Sequence, residues 1–221
     1  MALFFINKDI MNKLPITLCI ITRNSEDRIA NVINRHKPFV SEIIVVNQSS
    51  DDKTAERAEE VGALVVTRRT KGTSDPDRNW TFSLAKNPWV LYLDDDEYLD
   101  VKDFKELENI LASGVDVVWF NRTNLVDGRD VFEILGDDVQ CRLFKQGAVI
   151  WPDEIHSYPK PANGVTTLFS NIRIVHERTL EGLKKANRVR NPIASPQQIE
   201  NQENFIRQVD DFMSTGLRES A

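Results

Sequence analysis

Basic excess is the first thing this chain lacks. Its 221 residues hold 28 Lys+Arg against 34 Asp+Glu, a formal net charge of −6. A protein that neutralises many phosphates needs a positive face, so no nucleic-acid partner is expected. Cysteine is scarce too: only Cys19 and Cys141 occur, far apart and without the short spacings of a zinc or redox site. Cys19 sits in an apolar run, and both read as reduced core thiols of a reducing compartment. No apolar stretch approaches the ~20 residues that span a bilayer. Met1–Ile6 lacks the positive start and apolar length of a secretion signal. Internal repeats and low-complexity segments are missing as well. These absences leave a soluble cytoplasmic protein as the expectation. What is present, 41% hydrophobic and 28% charged residues, supports a sizeable core. The length suits one domain with a small appendage.

The first hundred residues alternate strand and helix patterns. Ile16–Thr22, Glu42–Val46, Ala63–Thr67 and Trp89–Leu93 are short apolar runs rich in β-branched or aromatic residues, the signature of buried strands. Between them, Ile29, Val32, Ile33 and His36 recur at helical spacing after Asn24 and Ser25. Asp51-Asp52 can cap a helix through Ala55, Ala58 and Val61, with Gly62 as its stop. Asp75-Pro76 opens a third helix, proline first, expected to run to Asn87-Pro88. The order βαβαβαβ implies a mostly parallel sheet flanked by helices, with ligands at the strands' C-terminal ends. Beyond Asp100, a cap for a helix over Val101–Leu111, the runs shorten: Val115–Phe120, Val139–Phe144, Ala148–Trp151, Val165–Phe169 and Ile172–Val175. That half is expected to be smaller, more antiparallel and loop-rich. Leu180–Val189 reads as a basic helix. An amphipathic tail follows the Asn191-Pro192 and Ser195-Pro196 breaks, with Ile199, Ile206, Val209 and Met213 on one face. It suits packing on the same chain or a homodimer.

The densest chemistry is Leu93-Asp94-Asp95-Asp96-Glu97, four carboxylates directly after a buried strand. In extended geometry Asp94 and Asp96 point to the same side. At roughly 6–7 Å they repel by ~2–3 kcal/mol at an effective dielectric of 20, and a hard divalent cation would turn repulsion into attraction. A solvated acidic loop is the plain alternative, although Asp100 already serves as a cap. Arg78-Asn79 falls in the first turn of the third helix, where an arginine can make paired bonds to phosphate. It could equally bridge to Asp75 or Asp77. Thr22-Arg23-Asn24 and Asn47-Gln48-Ser49-Ser50 each follow a strand with short polar groups, suited to a nucleobase or ribose and also to plain turns.

The succession ITLCIITRN, EIIVVNQSSDDKT and RNWTFSLAKNPWVLYLDDDE resembles nucleotide-sugar glycosyltransferases of GT-A fold, family 2. It looks most like the branch with lipopolysaccharide-core glucosyltransferases. The likeness runs from about Leu14 to Arg190, dense to Asp100 and thinner after, which implies one GT-A domain over 14–190. Its donor half would cover 14–100 and its acceptor half 101–190, with 1–13 an extension and 191–221 a helical tail. The resemblance implies a hexosyltransferase of polysaccharide biosynthesis, with a nucleoside-diphosphate sugar donor and a glycan or glycoconjugate acceptor. It further implies that LDDDE is the Asp-x-Asp motif. Asp94 would contact the donor ribose beside Asp95, and Asp96 would hold Mn²⁺ or Mg²⁺. Arg78 takes the donor-arginine position, and Thr22 and Asn24 border the base. The aspartate usual after the second strand is replaced by Asn47-Gln48, so a uridine preference is not implied. Cys141-Arg142-Leu143-Phe144 is similar to an Arg-Leu-Phe segment of the branch. Ile174-Val175-His176 with Lys184, Lys185 and Asn187 is similar to a later His and Lys-rich helix. By that likeness His176 would complete the metal shell or touch the diphosphate, and Lys184 or Lys185 would neutralise the leaving group.

An inverting transfer needs a carboxylate base. Asp153 and Glu154, in a loop beside Trp151 as a sugar-stacking aromatic, are the candidates, with Asp137-Asp138 second. Ser157 stands where the branch commonly has glutamate. Two rivals remain. A sugar nucleotidyltransferase usually opens with a glycine-rich phosphate loop, and Thr22–Arg28 holds no glycine. A non-catalytic nucleotide-sugar-binding module would keep the donor half and lack the base.

Overall fold

The computed structural model describes residues 13–70, 72–100, 104–153, 157–190 and 195–216. Four strands form its first half: β1 (Leu14–Thr22), β2 (Val40–Asn47), β3 (Leu64–Thr67) and β4 (Trp89–Leu93). They pair in parallel in the order β3-β2-β1-β4. β4 is buried throughout and β1 and β2 nearly so, which is why their sequences read as unbroken apolar runs. The connecting helices are α1 (Ile29–His36), α2 (Thr54–Glu60) and α3 (Arg78–Ser83), the last entered through a 3-10 turn over Asp75–Asp77. α3 ends short of the expected Asn87-Pro88. Leu84 and Ala85 donate to Thr81 and Phe82 carbonyls in tight 3-10 fashion, and Asn87 precedes proline and is biased away from helix.

The second half contributes β5 (Glu97–Leu99), α4 (Phe104–Ala112), β6 (Val117–Val126), β7 (Arg129–Asp130), α5 (Phe132–Leu135) and β8 (Val139–Lys145). It continues with β9 (Val149–Ile150), β10 (Lys160–Pro161), β11 (Thr167–Arg178), α6 (Leu180–Arg190) and α7 (Pro196–Gly216). The main sheet has nine strands in the order β3-β2-β1-β4-β8-β6-β11-β5, with β7 beside β6. β1 to β4, β6 and β11 run one way, and β5, β7 and β8 the other. The sheet is therefore mostly parallel in strand direction, and β9 and β10 form a separate antiparallel pair. The runs expected as two strands, Val165–Phe169 and Ile172–Val175, are one strand, β11. A register shift between Ser170 and Arg173 breaks the sequence pattern, and the Ser170 hydroxyl accepts the Ile172 N–H there.

β5 follows β4 after only three residues yet lies four pairings away. On a flat sheet those pairings would span ~19 Å, whereas Leu93 to Glu97 reaches at most ~14 Å. The sheet must curl, bringing the β11–β5 edge back toward β4. Side-chain alternation along β1 splits the interior into two faces. Ile16, Leu18 and Ile20 pack with Ile29, Ile33, Leu91, Leu107 and Phe120. Cys19 and Ile21 pack on the other face with Phe82, Tyr92, Cys141, Phe144 and Trp151. Both cysteines are free and buried. α7 lies on its own chain: Val209 joins Leu183 of α6 and Val126 and Val131, while Arg129 donates to the Phe212 and Met213 carbonyls. Among the described residues no helix is long and apolar enough to cross a membrane.

His36 ties the curled edge to the first helix. The fully buried ring donates from Nδ1 to the Val32 carbonyl (2.7 Å) and accepts the Leu99 N–H at Nε2 (3.2 Å). Burial pushes its pKa down to about 4. Unfolded, the ring titrates near 6.5, so between these values the unfolded chain binds a proton that the fold excludes. This contribution is present above pH 6.5 and is lost as the pH falls toward 4, by about 3 kcal/mol in all. His36→Gln should flatten the pH dependence: between pH 7.5 and 5, wild type loses ~2 kcal/mol more than the variant in urea unfolding. Identical losses in both proteins would refute this role.

Candidate active site

The acidic segment is a turn. Glu97 N–H donates to the Asp94 carbonyl (3.1 Å), so the extended geometry expected of Asp94 and Asp96 does not hold. The chain must reverse here to reach β5. Each carboxylate meets donors from another element. Asp94 accepts from Arg142 Nη2 of β8 (3.0 Å) and from the Tyr92 hydroxyl (3.1 Å). Asp95 accepts from the Thr22 hydroxyl, at the end of β1, and from Arg28 Nη2 (3.0 Å). Asp96 Oδ1 lies 3.3 Å from His176 Nε2, and its Oδ2 lies 3.6 Å from Arg178 Nε, both on β11. The repulsion expected within the cluster is thus relieved by fixed side chains.

Glu97 is not part of the open face. It is fully buried and accepts from Arg122 Nη1 (2.6 Å) and from Arg142 Nε and Nη2 (2.9 Å each). Burial pushes its carboxyl up, but the two guanidiniums outweigh this and hold it far below the ordinary range. Burial alone would lower Arg142, yet Glu97 and Asp94 raise it. Burial also raises Asp95, against the pull of Arg28. Asp96 ends below the usual carboxylate range because His176 and Arg178 overcome its desolvation.

Arg78 stands beside this turn. Its Nη1 pairs with Asp75 (2.7 Å), as one sequence reading allowed, while its Nε donates to the Tyr92 hydroxyl (3.3 Å). One buried tyrosine oxygen therefore links the arginine to Asp94. Burial, with Asp94 adding, pushes that hydroxyl up to about 12. The guanidinium also lies over the Trp151 ring at 5.0 Å. Trp151 is not a sugar platform: its ring is buried against Tyr92, Phe82 and Phe144. Asn79 clamps the Trp151 backbone, donating to its carbonyl (2.6 Å) and accepting its N–H (3.0 Å). Asp153 is exposed on the loop so anchored. Glu154 lies outside the described residues. Asp138, the second base candidate, is taken up by Arg122, Asn124 and Gln140.

The loops after β1 and β2 are braced against each other. Asn24, at φ 55, accepts the Asp51 N–H, and its own N–H donates to Ser50. The Asn47 amide is engaged by Ser50 and Thr67, so it shapes the loop. Gln48 donates to the Thr73 carbonyl (3.0 Å) and to buried Asp77 (2.8 Å), beside Arg68, which pairs with Asp77 (3.2 Å) and lies over Trp80. Lys184 is bonded to Asp210 of α7 (2.8 Å), so it joins two helices rather than meeting the acidic turn. The reason is local: α6 presents that face to α7.

Sequence reasoning missed the roles of Tyr92, Arg28, Arg122, Asn124, Arg142 and Arg178. The signal for Arg142 was there, an arginine inside the apolar run Val139–Phe144, since a charge on a buried strand requires a partner. Arg142→Met should destabilise the fold by about 3–5 kcal/mol in urea unfolding, because Glu97 loses a buried partner. A change below ~1 kcal/mol would mean that Arg122 alone suffices.

The sequence profile of glycosyl transferase family 2 matches residues 17–145. An uncharacterized glycosyltransferase of Rickettsia conorii is 39% identical over 107 residues, 48% of this chain and 37% of that protein. Glycosyltransferase AglJ of Haloferax volcanii is 32% identical over 108 residues, 47% of this chain and 35% of its own length. The chain thus spans about a third of the length of the curated relatives it matches. The crystal structure of S. aureus TarS 1–349 in complex with UDP superposes with a TM-score of 0.57 at 16% identity, covering 87% of this chain and 70% of that one. That likeness extends the shared fold well past the matched segment. The chain belongs to glycosyl transferase family 2.

Proposed function

We propose that this protein is an inverting, metal-dependent glycosyltransferase, moving a sugar from a nucleoside-diphosphate sugar to a hydroxyl of a glycan or glycoconjugate. The observation that carries the reading is the chain Arg78–Tyr92–Asp94. It puts a guanidinium for phosphate oxygens and an acidic turn for a cation on one buried hydroxyl, at the C-terminal edge of a parallel sheet. Asp96 and His176 are the residues that would hold Mn²⁺ or Mg²⁺. Their donor chemistry fits: a carboxylate oxygen and an imidazole nitrogen face each other at 3.3 Å. Among the described residues no three such side chains gather into a cage, so substrate phosphates and water would have to complete the cation's shell. When bound, the cation supplies charge neutralisation to the departing diphosphate.

The remaining steps fall to the chain's own groups. Arg78 grips the diphosphate, oriented by Asp75 and Tyr92. Thr22 and Gln48 border the base and ribose. Asp153, or Glu154 next to it, takes the acceptor hydroxyl's proton as that oxygen bonds to the anomeric carbon and the carbon–phosphate oxygen bond breaks. Residues 14–190 form the catalytic unit, and α7 braces it.

The test is release of nucleoside diphosphate from a panel of nucleotide sugars with Mn²⁺, with and without glycan acceptors. A protein that binds a donor yet never turns it over is a binding module instead. In calorimetry, Asp96→Ala should lose the Mn²⁺-dependent part of donor affinity, and unchanged affinity would count against the cation reading. Arg78→Ala should weaken nucleoside diphosphate by roughly tenfold or more, the loss of a charge-assisted bond pair, and nucleoside hardly at all. Equal weakening of both would remove the diphosphate role.

A further inference from the structure

His176 is held from behind by a hydrogen-bond chain whose polarity is fixed at each link. Asp138 accepts from Arg122 Nε and Nη2 (2.8 Å each) and from Gln140. Burial would raise its carboxyl, but Arg122 and Asn124 keep it below the ordinary range, so it is ionised and can only accept. The Asn124 side chain must therefore face it with the amide nitrogen, which donates at 2.8 Å. That turns the Asn124 oxygen toward His176 Nδ1, at 2.7 Å. An amide oxygen only accepts, so Nδ1 carries the proton. Asn124 and His176 are register partners on adjacent strands β6 and β11, both nearly buried, so the arrangement leaves little room for an alternative. Only Nε2, facing Asp96, is left to exchange what it binds.

We infer that Asn124 and Asp138 are positioning residues that fix the His176 ring so that its Nε2 lone pair is offered to the divalent cation beside Asp96. This rests on the cation reading proposed above. Without the chain the imidazole can rotate or carry its proton on Nε2, and either removes the lone pair from the cation. Partners of a metal-binding histidine that set its tautomer act in this way generally, and their loss weakens metal binding by about 10–100-fold.

The experiment measures Mn²⁺ binding to the purified chain with nucleoside diphosphate present (UDP, GDP and ADP in turn), by electron paramagnetic resonance, together with the imidazole-nitrogen modulation in the pulsed spectrum. Asn124→Leu should weaken Mn²⁺ by about 10–100-fold and remove the modulation. The exchange Asn124→Asp with Asp138→Asn keeps an acceptor against Nδ1 and should restore both. Asp138→Asn alone frees the Asn124 amide to turn over and should give an intermediate loss. It also serves as the second variant should Asn124→Leu fail to fold. Wild-type affinity and modulation in either single variant overturn the inference while the cation reading stands. A wild type that binds Mn²⁺ no better than Asp96→Ala overturns the cation reading, and the inference with it.

Discussion

A carboxylate with no solvent exposure, clasped by two arginines, sets the geometry on which this fold and its site depend. Glu97 begins β5, Arg122 lies in β6 and Arg142 in β8. Three strands therefore meet at one charge. Buried ion pairs are weak sources of net stability, since desolvation consumes most of the Coulomb gain. What this one determines is position. With Glu97 turned inward, the three preceding aspartates have only the turn in which to lie, and Arg142 reaches past Glu97 to orient the first of them.

The same logic extends around the site. Five arginines, Arg28, Arg78, Arg122, Arg142 and Arg178, face the carboxylates of Asp75, Asp94, Asp95, Asp96, Glu97 and Asp138. The cluster is close to charge balance before any ligand arrives. In the proposed reaction a nucleoside diphosphate and a divalent cation bring opposite and nearly equal charges, so they can enter without upsetting it. Fixed dipoles and charges of this kind stabilise a developing charge without reorganising.

How much of this was legible depended on range. β1, β2 and β4 were readable because strands buried on both sides leave unbroken apolar runs, and the acidic run could be placed at a sheet end because it directly follows one of them. β5 was not, since three residues carry no periodicity and its partner strand β11 lies more than 70 residues further along the chain. Trp151 looked like a sugar platform because nothing local shows that Tyr92, Phe82 and Phe144 converge on it. Lys184 looked available because Asp210 is 26 residues away. Asn79 was noted only as the neighbour of Arg78, and its grip on Trp151 bridges 72 positions. Motifs announce which residues carry chemistry; the partners that aim them come from distant segments, and a single sequence is silent about those.

The brevity of the link between β4 and β5 has an evolutionary corollary. Surface loops ordinarily absorb added residues at little thermodynamic expense. Here one extra residue would have to bulge outward from the acidic turn or drag Glu97 from between its arginines, so the spacer cannot drift in length independently of sheet curvature. Added residues are better absorbed in the turn between β10 and β11, which holds no charge of the buried clasp.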